Sequence, residues 1–185
     1  MRDSELLIYL HDYHKYKVGT PKKVNPKFRG VSQQILNFKD PDHRLHRQAV
    51  DKFYSEIESK LTAEITPFQN FSLAIVPSHE RNVTSAAMEE ICRSLATSHK
   101  NMHYHGNPLV RTRTIPKLAT GGDRSLFNHL ASLDTHEHII SLKFPYVILD
   151  DIVTSGNSLA ACKAKIEQAG ASILKVLAIG KTVDE

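Results

Sequence analysis

The chain has 185 residues and a formal net charge of +4, a size that suits one compact domain with a large buried core. Its composition, 41% hydrophobic and 24% charged residues, is that of an ordinary soluble protein. No stretch approaches the roughly 18–20 apolar residues that cross a membrane, and Met1-Arg2-Asp3 does not begin a secretory signal, so we expect a cytoplasmic protein without membrane partners.

The first half of the chain alternates between strand and helix patterns. Residues 6–10 form a short apolar stretch typical of a strand, and residues 31–38 carry a second strand-like pattern. Asp40-Pro41 then predicts a helix start, because a capping residue is followed by proline in the first turn. This helix buries one stripe, since apolar residues recur every four positions before Pro67: Leu45, Ala49, Phe53, Ile57, Leu61 and Ile65. Residues 71–76 form a strong central strand.

The second half continues the alternation. A second amphipathic helix carries an apolar face made of Ala87, Met88, Ile91, Cys92 and Leu95. Gly121-Gly122 marks a mobile joint. The remaining elements are expected as a strand at 108–114, a short helix at 126–133, apolar segments at 139–142 and 146–149, a helix at 158–168 and a last strand at 173–179. Alternating helices and buried strands predict a parallel α/β sheet.

Basic residues are concentrated in two segments that contain no acidic residue. The first segment comprises Lys15, Lys17, Lys22, Lys23, Lys27 and Arg29, and the second comprises Arg93, Lys100, Arg111, Arg113 and Lys117. Either these segments are solvated loops, or they attract a polyanion such as a phosphorylated small molecule or a nucleic-acid backbone. Regularly interleaved aromatic residues, which a dedicated nucleic-acid groove would use, are not found there.

Cysteine and histidine do not suggest a metal centre. Cys92 and Cys162 each fall within an apolar helical pattern, which favours buried thiols over a disulfide. The eleven histidines include close pairs such as His103 with His105, but no pair has the cysteine or carboxylate spacing of a zinc site. We expect them to be surface histidines.

The most informative segment covers residues 147–159 and reads VILDDIVTSGNSL. Its first three residues are typical of a strand buried on both faces, as in parallel sheets covered by helices. Ligands of such sheets lie beyond the carboxyl ends of the strands, where Asp150 and Asp151 fall. Because carboxylates only accept hydrogen bonds, a neighbouring pair suits the two hydroxyls of a ribose.

The residues after the acidic pair are suited to a phosphate. A hydroxyl-rich loop leads directly into a helix and comprises Thr154, Ser155, Gly156, Asn157 and Ser158. Backbone N–H groups and the positive end of the helix dipole favour an anion at such a position. Gly156 lets the backbone turn tightly and approach a ligand closely.

Two other interpretations of this segment remain open. An apolar strand that ends in two aspartates is also typical of a Walker B element, which would require a Walker A loop elsewhere in the chain. The one candidate for that loop is Gly180-Lys181-Thr182. It has Lys175 where the first glycine is required, and it leaves no room for the helix that should follow. The second interpretation is a structural junction, since serine and threonine are common helix caps.

With its hydrophobic run, acidic pair and hydroxyl-rich glycine loop, the segment resembles the signature of the type I phosphoribosyltransferases, with Ser155 and Ser158 where threonine is common. Those enzymes, and some regulators built from them, bind 5-phosphoribosyl-1-pyrophosphate (PRPP). The resemblance implies a Rossmann-like, parallel-sheet core flanked by helices at residues 70–185. It also implies a small hood-like, helical region at residues 1–69.

The resemblance further implies which residues form the site. These are Asp150, Asp151 and Lys117 for catalysis at the ribose; Val153, Thr154, Ser155, Gly156, Asn157 and Ser158 for the 5′-phosphate; and Ser78, His79, Arg81, Arg113 and Arg124 for the pyrophosphate. Residues 112–124 match the family's lid by position, and such a lid excludes water. Mg²⁺ is the implied cofactor, held mainly by PRPP itself, with Asp150 and Asp151 as the protein groups near it.

The implied activity is transfer of phosphoribose from PRPP to a nucleobase or similar nitrogen acceptor, with release of pyrophosphate. The alternative is a non-catalytic PRPP or nucleotide regulator, or an accessory protein in DNA uptake or mobile-element defence, because the R-x-x-x-N pattern at 124–128 is similar to that of ComF-type proteins. The ComF zinc module and glutamine-containing lid are absent. A third expectation is nucleic-acid binding through Lys15–Arg29, and the family resemblance favours a homodimer.

Overall fold

The computed structural model describes residues 7–19, 21, 23–116 and 125–183. Its strands are β1 (Leu7–Tyr13), β2 (Lys17–Val18), β3 (Lys23–Val24), β4 (Phe71–Ile75), β5 (Met102–His103), β6 (Leu109–Arg111), β7 (Leu133–Thr135), β8 (Tyr146–Val153) and β9 (Ile173–Thr182). Its helices are α1 (Val31–Lys39), α2 (His46–Glu64), α3 (Ala86–Ser98), α4 (Leu126–Ser132) and α5 (Asn157–Gln168). Among the described residues, no helix has the length and apolar character of a membrane span.

A five-stranded parallel sheet in the order β1-β9-β8-β4-β5 forms the centre of the molecule. Strand β4 is buried along its whole length, and so are the first four residues of β8, because helices cover both faces of the sheet. The predicted parallel α/β sheet is therefore confirmed. The short pairs β2–β3 and β6–β7 are antiparallel and lie outside this sheet.

The two faces of the sheet are covered by different helices. On one face, α1, α2 and α3 enclose an apolar core in which Phe38 and Phe53 meet edge to face at 5.6 Å between ring centroids. On the other face, Cys162 and Ile166 of α5 are fully buried in a second apolar cluster with Ile148. The residues before β4 thus supply the edge strand β1 and two helices of the first face.

The loops that could hold a ligand leave the sheet at one edge. Ile75, the last residue of β4, pairs with Leu149, so β4 ends beside the middle of β8, which continues for four more residues to Val153. The amide of Asn107 continues the ladder beside β4, because it binds both the N–H and the C=O of Ile75 at 3.0 Å. In parallel sheets this edge is where ligands bind.

The prediction of a strand at residues 31–38 was wrong, because these residues form α1. Val31, Ile35 and Phe38 recur at spacings of four and three, which places them on one side of a helix. Ile35 and Phe38 are fully buried against the sheet and α2. A short apolar run with few turn residues fits either element, and packing decided in favour of the helix.

Other boundaries also differ from the predictions. Helix α2 begins at His46, six residues after the predicted start, because residues 40–45 form turns in which Asp40 Oδ1 accepts from the N–H of Asp42 at 3.2 Å. The strand predicted at 108–114 is reduced to β6, which pairs with β7 rather than with the central sheet. Residues 139–142 form no strand: residue 139 ends a turn, and the three residues after it are irregular.

Most of the remaining elements are confirmed. The strands at 6–10, 71–76 and 173–179 correspond to β1, β4 and β9, and residues 146–149 lie within β8. The helices around residues 87–95, 126–133 and 158–168 correspond to α3, α4 and α5, and the predicted apolar face of α3 is buried. Cys92 and Cys162 are buried free thiols, as expected. The predicted joint at Gly121-Gly122 lies outside the described residues.

Candidate functional site

The acidic pair lies inside β8 rather than beyond its end. Strand β8 continues to Val153 and keeps its pairing with β9, where Asp150 lies opposite Ala178 and Val153 opposite Lys181. Because successive side chains of a strand point to opposite faces, Asp150 and Asp151 project to different sides of the sheet. The two carboxylates therefore do not face the same side of the sheet, although the sequence led us to expect both of them at one ribose.

Asp150 faces a cavity of about 270 Å³ at the carboxyl edge of the sheet. The cavity is lined by Ser125, His129, Asp150 and the segment Ile152, Val153, Thr154, Ser155, Gly156, Asn157, Ser158 and Leu159. The carboxylate of Asp150 also accepts a hydrogen bond from the backbone N–H of Asp151 at 2.8 Å. The structure thus brings Asp150 and all six residues predicted to hold a phosphate to one cavity.

The loop between β8 and α5 has the geometry of an anion-binding turn. Gly156 has φ +80°, a left-handed conformation that L side chains rarely adopt, and its carbonyl accepts the N–H of Ala160 at 2.9 Å to begin α5. The first turn of α5 contains no acidic residue, so its N–H groups and helix dipole favour an anion without competition. Thr154 anchors the loop through its hydroxyl, which lies 3.0 Å from that of Thr182.

Asp151 is paired with a lysine on the opposite side of β8. The Nζ of Lys39, the last residue of α1, lies 2.9 Å from Asp151 Oδ2. Burial alone would lower the pKa of the Lys39 ammonium, but the charge and hydrogen bond of Asp151 outweigh this effect and raise that pKa. For the nearby Tyr13 hydroxyl, in contrast, burial raises the pKa. The charge of Lys39 opposes this shift and the charge of Asp151 adds to it. The N-terminal helix therefore contributes a cation to the acidic pair.

A buried arginine lies beneath the site. Arg111 at the end of β6 is 1% exposed, and its guanidinium donates from Nε to the carbonyl of Ser78 at 2.6 Å and from Nη1 to Ser132 Oγ at 2.5 Å. Its Nη2 lies 3.4 Å from Nδ1 of His129, and Ser158 Oγ lies 3.3 Å from both ring nitrogens of His129. Arg111 and His129 thus connect the loop after β4 with the loop before α5.

The loop after β4 contains the residues predicted to hold a pyrophosphate. Ser78 Oγ lies 3.3 Å from His79 Nδ1, and the carbonyl of His79 accepts the N–H of Ile115 at 2.9 Å. The N–H of Arg81 donates to Thr114 Oγ1 at 3.0 Å, while its side chain is exposed. These bonds tie the loop to residues 114–115, so that its position depends on the segment that leads into the predicted lid.

The predicted lid is described in part. Arg113 is exposed beside the loop after β4, whereas Lys117 and Arg124 lie outside the described residues. Sequence reasoning missed Ser125, and the expectation of surface histidines is wrong for His129, which is buried and lines the cavity. Their spacing of four places both residues on one side of a helical turn. Sequence reasoning also missed the buried position of Arg111, since a charged residue in a basic segment is ordinarily expected at the surface.

The donor set fits Mg²⁺ better than a metal held by protein alone. Among the described residues, no group of three or more His, Cys, Asp or Glu side chains could hold a metal ion. Mg²⁺ needs less from the protein, because it binds through one or two carboxylates together with substrate phosphates and water. Asp150, which lines the cavity, is the residue that could contact it there.

Comparisons with known proteins give a distant structural likeness. No protein-family model matches the chain, and no curated protein matches its sequence significantly. Six chains of solved structures match the fold. One of them is the crystal structure of adenine phosphoribosyltransferase from Saccharomyces cerevisiae complexed with D-2,5-dideoxy-2,5-imino-altritol 1,6-bisphosphate and adenine. It is 16% identical, with a TM-score of 0.40, and the match covers 78% of this chain and 71% of that one.

Proposed function

We propose that this chain binds PRPP with Mg²⁺ and transfers its phosphoribose to a nitrogen base, with release of pyrophosphate. One observation carries the proposal: a carboxylate, Asp150, and the first turn of α5 line the same cavity at the carboxyl edge of a parallel sheet. A group that accepts hydrogen bonds beside an array of backbone donors suits a sugar that carries a phosphate.

The phosphate end of the ligand lies in the loop before α5. The backbone N–H groups of residues 154–158 and the hydroxyls of Thr154, Ser155 and Ser158 surround the phosphate. These groups converge at the left-handed turn of Gly156 (φ +80°), a backbone conformation that L side chains rarely adopt. The dipole of α5 adds a favourable field for the negative charge.

The ribose lies against Asp150, which accepts hydrogen bonds from its hydroxyls. As pyrophosphate leaves, positive charge develops at C1 of the ribose, and a carboxylate fixed by the β8–β9 pairing stabilises that charge. Asp151 acts from the other side of the strand, where its pairing with Lys39 reduces the negative charge that an incoming polyanion meets. The nitrogen of the acceptor base attacks the face of C1 opposite to the leaving group.

The pyrophosphate end extends toward the loop after β4. Arg81 and Arg113 are exposed beside it, and a guanidinium can bind two oxygens of one phosphate group. Lys117 and Arg124 belong to the proposed lid, which would exclude water and so limit hydrolysis of PRPP. When bound, Mg²⁺ would supply positive charge to the pyrophosphate, and Asp150, the carboxylate that lines the cavity, would be the residue that holds it.

Thermal unfolding with and without PRPP and Mg²⁺ tests the proposal. A ligand at about one hundred times its dissociation constant adds about 2.7 kcal/mol to the free energy of unfolding, which raises Tm by roughly 5–10 °C in a domain of this size. The variant Asp150→Asn/Asp151→Asn should lose this rise, and Asp42→Asn, a change at an exposed aspartate of a turn, should keep it.

The four outcomes are distinct. A rise that the double variant loses, together with release of pyrophosphate in the presence of one base from a panel, supports the transferase. The same rise without turnover on any base would support a PRPP-binding regulator instead. If PRPP stabilises the parent and the double variant equally, the ribose does not lie at the acidic pair and the proposal is wrong; a shift with single-stranded DNA alone would favour the nucleic-acid reading.

A further inference from the structure

The segment that follows β1 carries a surface of positive charge that the function proposed above does not use. No aspartate or glutamate occurs between Asp12 and Asp40. Several cations elsewhere pair with a carboxylate, as Lys60 does with Glu64 at 2.9 Å. In the part of the chain that the structure describes, the cations of this segment are all exposed and pair with no carboxylate: Lys15, Lys17, Lys23, Lys27 and Arg29.

The second basic segment of the sequence does not form such a surface. Arg111 is buried, and Arg93 pairs with Glu89 at 2.6 Å. Lys100 lies at the amino edge of the sheet, where the carbonyl of Asn101 accepts the N–H of Phe71 at 3.0 Å. The structure therefore distinguishes two segments that the sequence presents alike, and it leaves the first one open to a polyanion.

Buried polar residues hold the first segment in a defined shape. Asn25, 1% exposed, donates its N–H to the carbonyl of Tyr16 at 2.8 Å, and its Oδ1 accepts the N–H of Lys27 at 2.8 Å. The fully buried Ser32 accepts the N–H of His14 through Oγ at 3.0 Å. Strands β2 and β3 pair between these anchors. We call these two strands, together with the five exposed cations, the basic ribbon.

The basic ribbon also exposes an aromatic ring. Tyr16 directly precedes β2 and is 49% exposed. Its ring meets Phe28 edge to face at 5.1 Å between ring centroids, which fixes the ring and leaves about half of the side chain open to solvent. Single strands of nucleic acid bind to this combination, because cations contact their phosphates while their bases stack on aromatic rings.

We propose that the basic ribbon binds single-stranded nucleic acid, with its cations on the phosphates and a base stacked on Tyr16. A duplex keeps its bases stacked inside, and strands of two residues, as β2 and β3 are, are too short to follow one of its grooves. One exposed ring suits a short contact with few bases, whereas a long groove would need aromatic residues at regular spacing.

The basic ribbon leaves the sheet at the same edge as the cavity. Tyr13, the last residue of β1, pairs with Thr182 of β9, whose hydroxyl lies 3.0 Å from that of Thr154 in the loop before α5. A bound strand therefore lies at the edge of the sheet that holds the cavity. The inference does not rest on the proposed function, because the basic ribbon contains none of the residues assigned to PRPP.

The first test is the salt dependence of binding to a fluorescent oligothymidylate of about ten nucleotides, followed by fluorescence anisotropy. Each phosphate contact to a single strand contributes about −0.7 to the slope of log affinity against log salt concentration, so five contacts give about −3.5. Affinity should therefore fall about a hundredfold between about 50 and 200 mM salt. A slope near zero would overturn the inference.

Two charge variants locate the contacts. Lys17→Gln/Lys23→Gln should make the slope shallower by about 1.4 and weaken binding about tenfold or more at about 50 mM salt. Lys100→Gln/Lys143→Gln is the matched control, because it removes the same charge from exposed lysines at the amino edge of the sheet, and it should keep the parent's slope. Equal slopes in the parent and Lys17→Gln/Lys23→Gln would overturn the inference. Equal losses in both variants would do so too, because net charge alone would then govern binding.

A third variant tests the stacked base. Tyr16→Leu removes the ring but keeps an apolar side chain beside Phe28, so it should weaken binding roughly fivefold or more without changing the slope. Tyr16→Phe keeps a ring and should bind within about twofold of the parent. Unchanged affinity of Tyr16→Leu would overturn the inference, since the surface would then contact phosphates only. Circular dichroism of each variant separates loss of binding from loss of folding.

Other polyanions serve as competing probes. A DNA duplex of the same length and vesicles that contain phosphatidylserine also carry dense negative charge, but neither offers an unstacked base to Tyr16. We expect the oligothymidylate to bind more tightly than either of them at about 200 mM salt, where charge contacts are weakened and stacking is not. Tighter binding of the duplex or of the vesicles would overturn the inference.

The outcome is separable from that of the proposed function. If Lys17→Gln/Lys23→Gln weakens oligothymidylate binding as expected while PRPP stabilises the parent and Asp150→Asn/Asp151→Asn equally, this inference stands and the proposed function fails. If the acidic pair is required for PRPP while the lysine variant binds the oligothymidylate as the parent does, the proposed function stands and this inference fails.

Discussion

Replacing Lys39 with methionine tests the ion pair that joins α1 to the acidic pair. Methionine keeps an unbranched apolar stem and removes the charge that lies 2.9 Å from Asp151 Oδ2. The side chain of Lys39 is 43% exposed and that of Asp151 is 24% exposed, so solvent screens their attraction. We therefore expect a loss of about 1 kcal/mol in the free energy of unfolding, the upper end for partly exposed pairs, and a fall in Tm of roughly 2–4 °C.

The loss should depend on pH in a defined direction. The folded-state pKa of Lys39 is raised above its ordinary value, with Asp151 outweighing the opposing effect of burial. A group whose pKa is raised on folding contributes stability that is fully present below its unfolded pKa, about 10.4 for lysine, and is lost as the pH rises through the folded pKa. The difference between the parent and Lys39→Met should therefore be full near pH 8 and smaller at pH 11, which lies above the unfolded pKa of lysine.

Urea unfolding followed by circular dichroism at these two pH values measures the difference, since urea, unlike guanidinium chloride, does not screen charges. Other lysines and tyrosines titrate in the same range and cancel in the comparison, except Tyr13, whose pKa Lys39 itself lowers. Tyr13→Phe introduced into each variant removes that contribution. Lys39→Arg is the matched control, because a guanidinium stays charged and should keep the pair at alkaline pH. A difference between the parent and Lys39→Met that is equal at both pH values would refute the reasoning.

Three further substitutions or reagents probe other parts of the molecule. Gly156→Ala should cost about 1–2 kcal/mol through its positive φ alone, since its Cβ would meet no atom within 4 Å, and a neutral effect on urea unfolding would contradict this reason. Gly180→Ala should cost about 1–3 kcal/mol because its Cβ would lie 2.9 Å from Cδ1 of Ile35 and 3.1 Å from Cβ of Tyr13; Ile35→Val removes only the first contact, so a double-mutant cycle should show partial recovery. Cys92 and Cys162 should react with a thiol reagent only at the rate of unfolding, because burial raises the pKa of both thiols; rapid labelling of the folded chain would show that they are accessible.

The segment from β8 to α5 was the part best predicted from sequence, because its signals are local. An apolar run, a glycine at a turn and hydroxyls before a helix each describe their own few residues, and the helix predicted at 158–168 is α5. The extension of β8 through Asp150 and Asp151 was not predictable in this way. Carboxylates disfavour strands, and here the pairing with β9 overrides that preference.

Long-range packing explains the elements that sequence reasoning missed. Residues 31–38 could form either element on their own, and only the burial of Ile35 and Phe38 between the sheet and α2 distinguishes the helix. The burial of Arg111 and His129 has the same origin, since it depends on contacts between β6, α4 and the loop after β4. No local sequence pattern distinguishes an arginine that is buried with hydrogen-bond partners from one that is exposed.

The misassigned helix also bears on the electrostatics of the site. As the last residue of α1, Lys39 reaches Asp151 from the face opposite to the cavity, so that one carboxylate of the motif is neutralised while the other faces the cavity. The motif by itself would place two negative charges where the proposed polyanion binds, which opposes binding. Residues far upstream correct this balance: Lys39 pairs with one carboxylate, and Arg111 holds a buried positive charge beneath the cavity. The proposed affinity for a phosphorylated ligand therefore depends on the folded chain, and substitutions of Lys39 or Arg111, outside the motif, should change it as well as substitutions inside the motif.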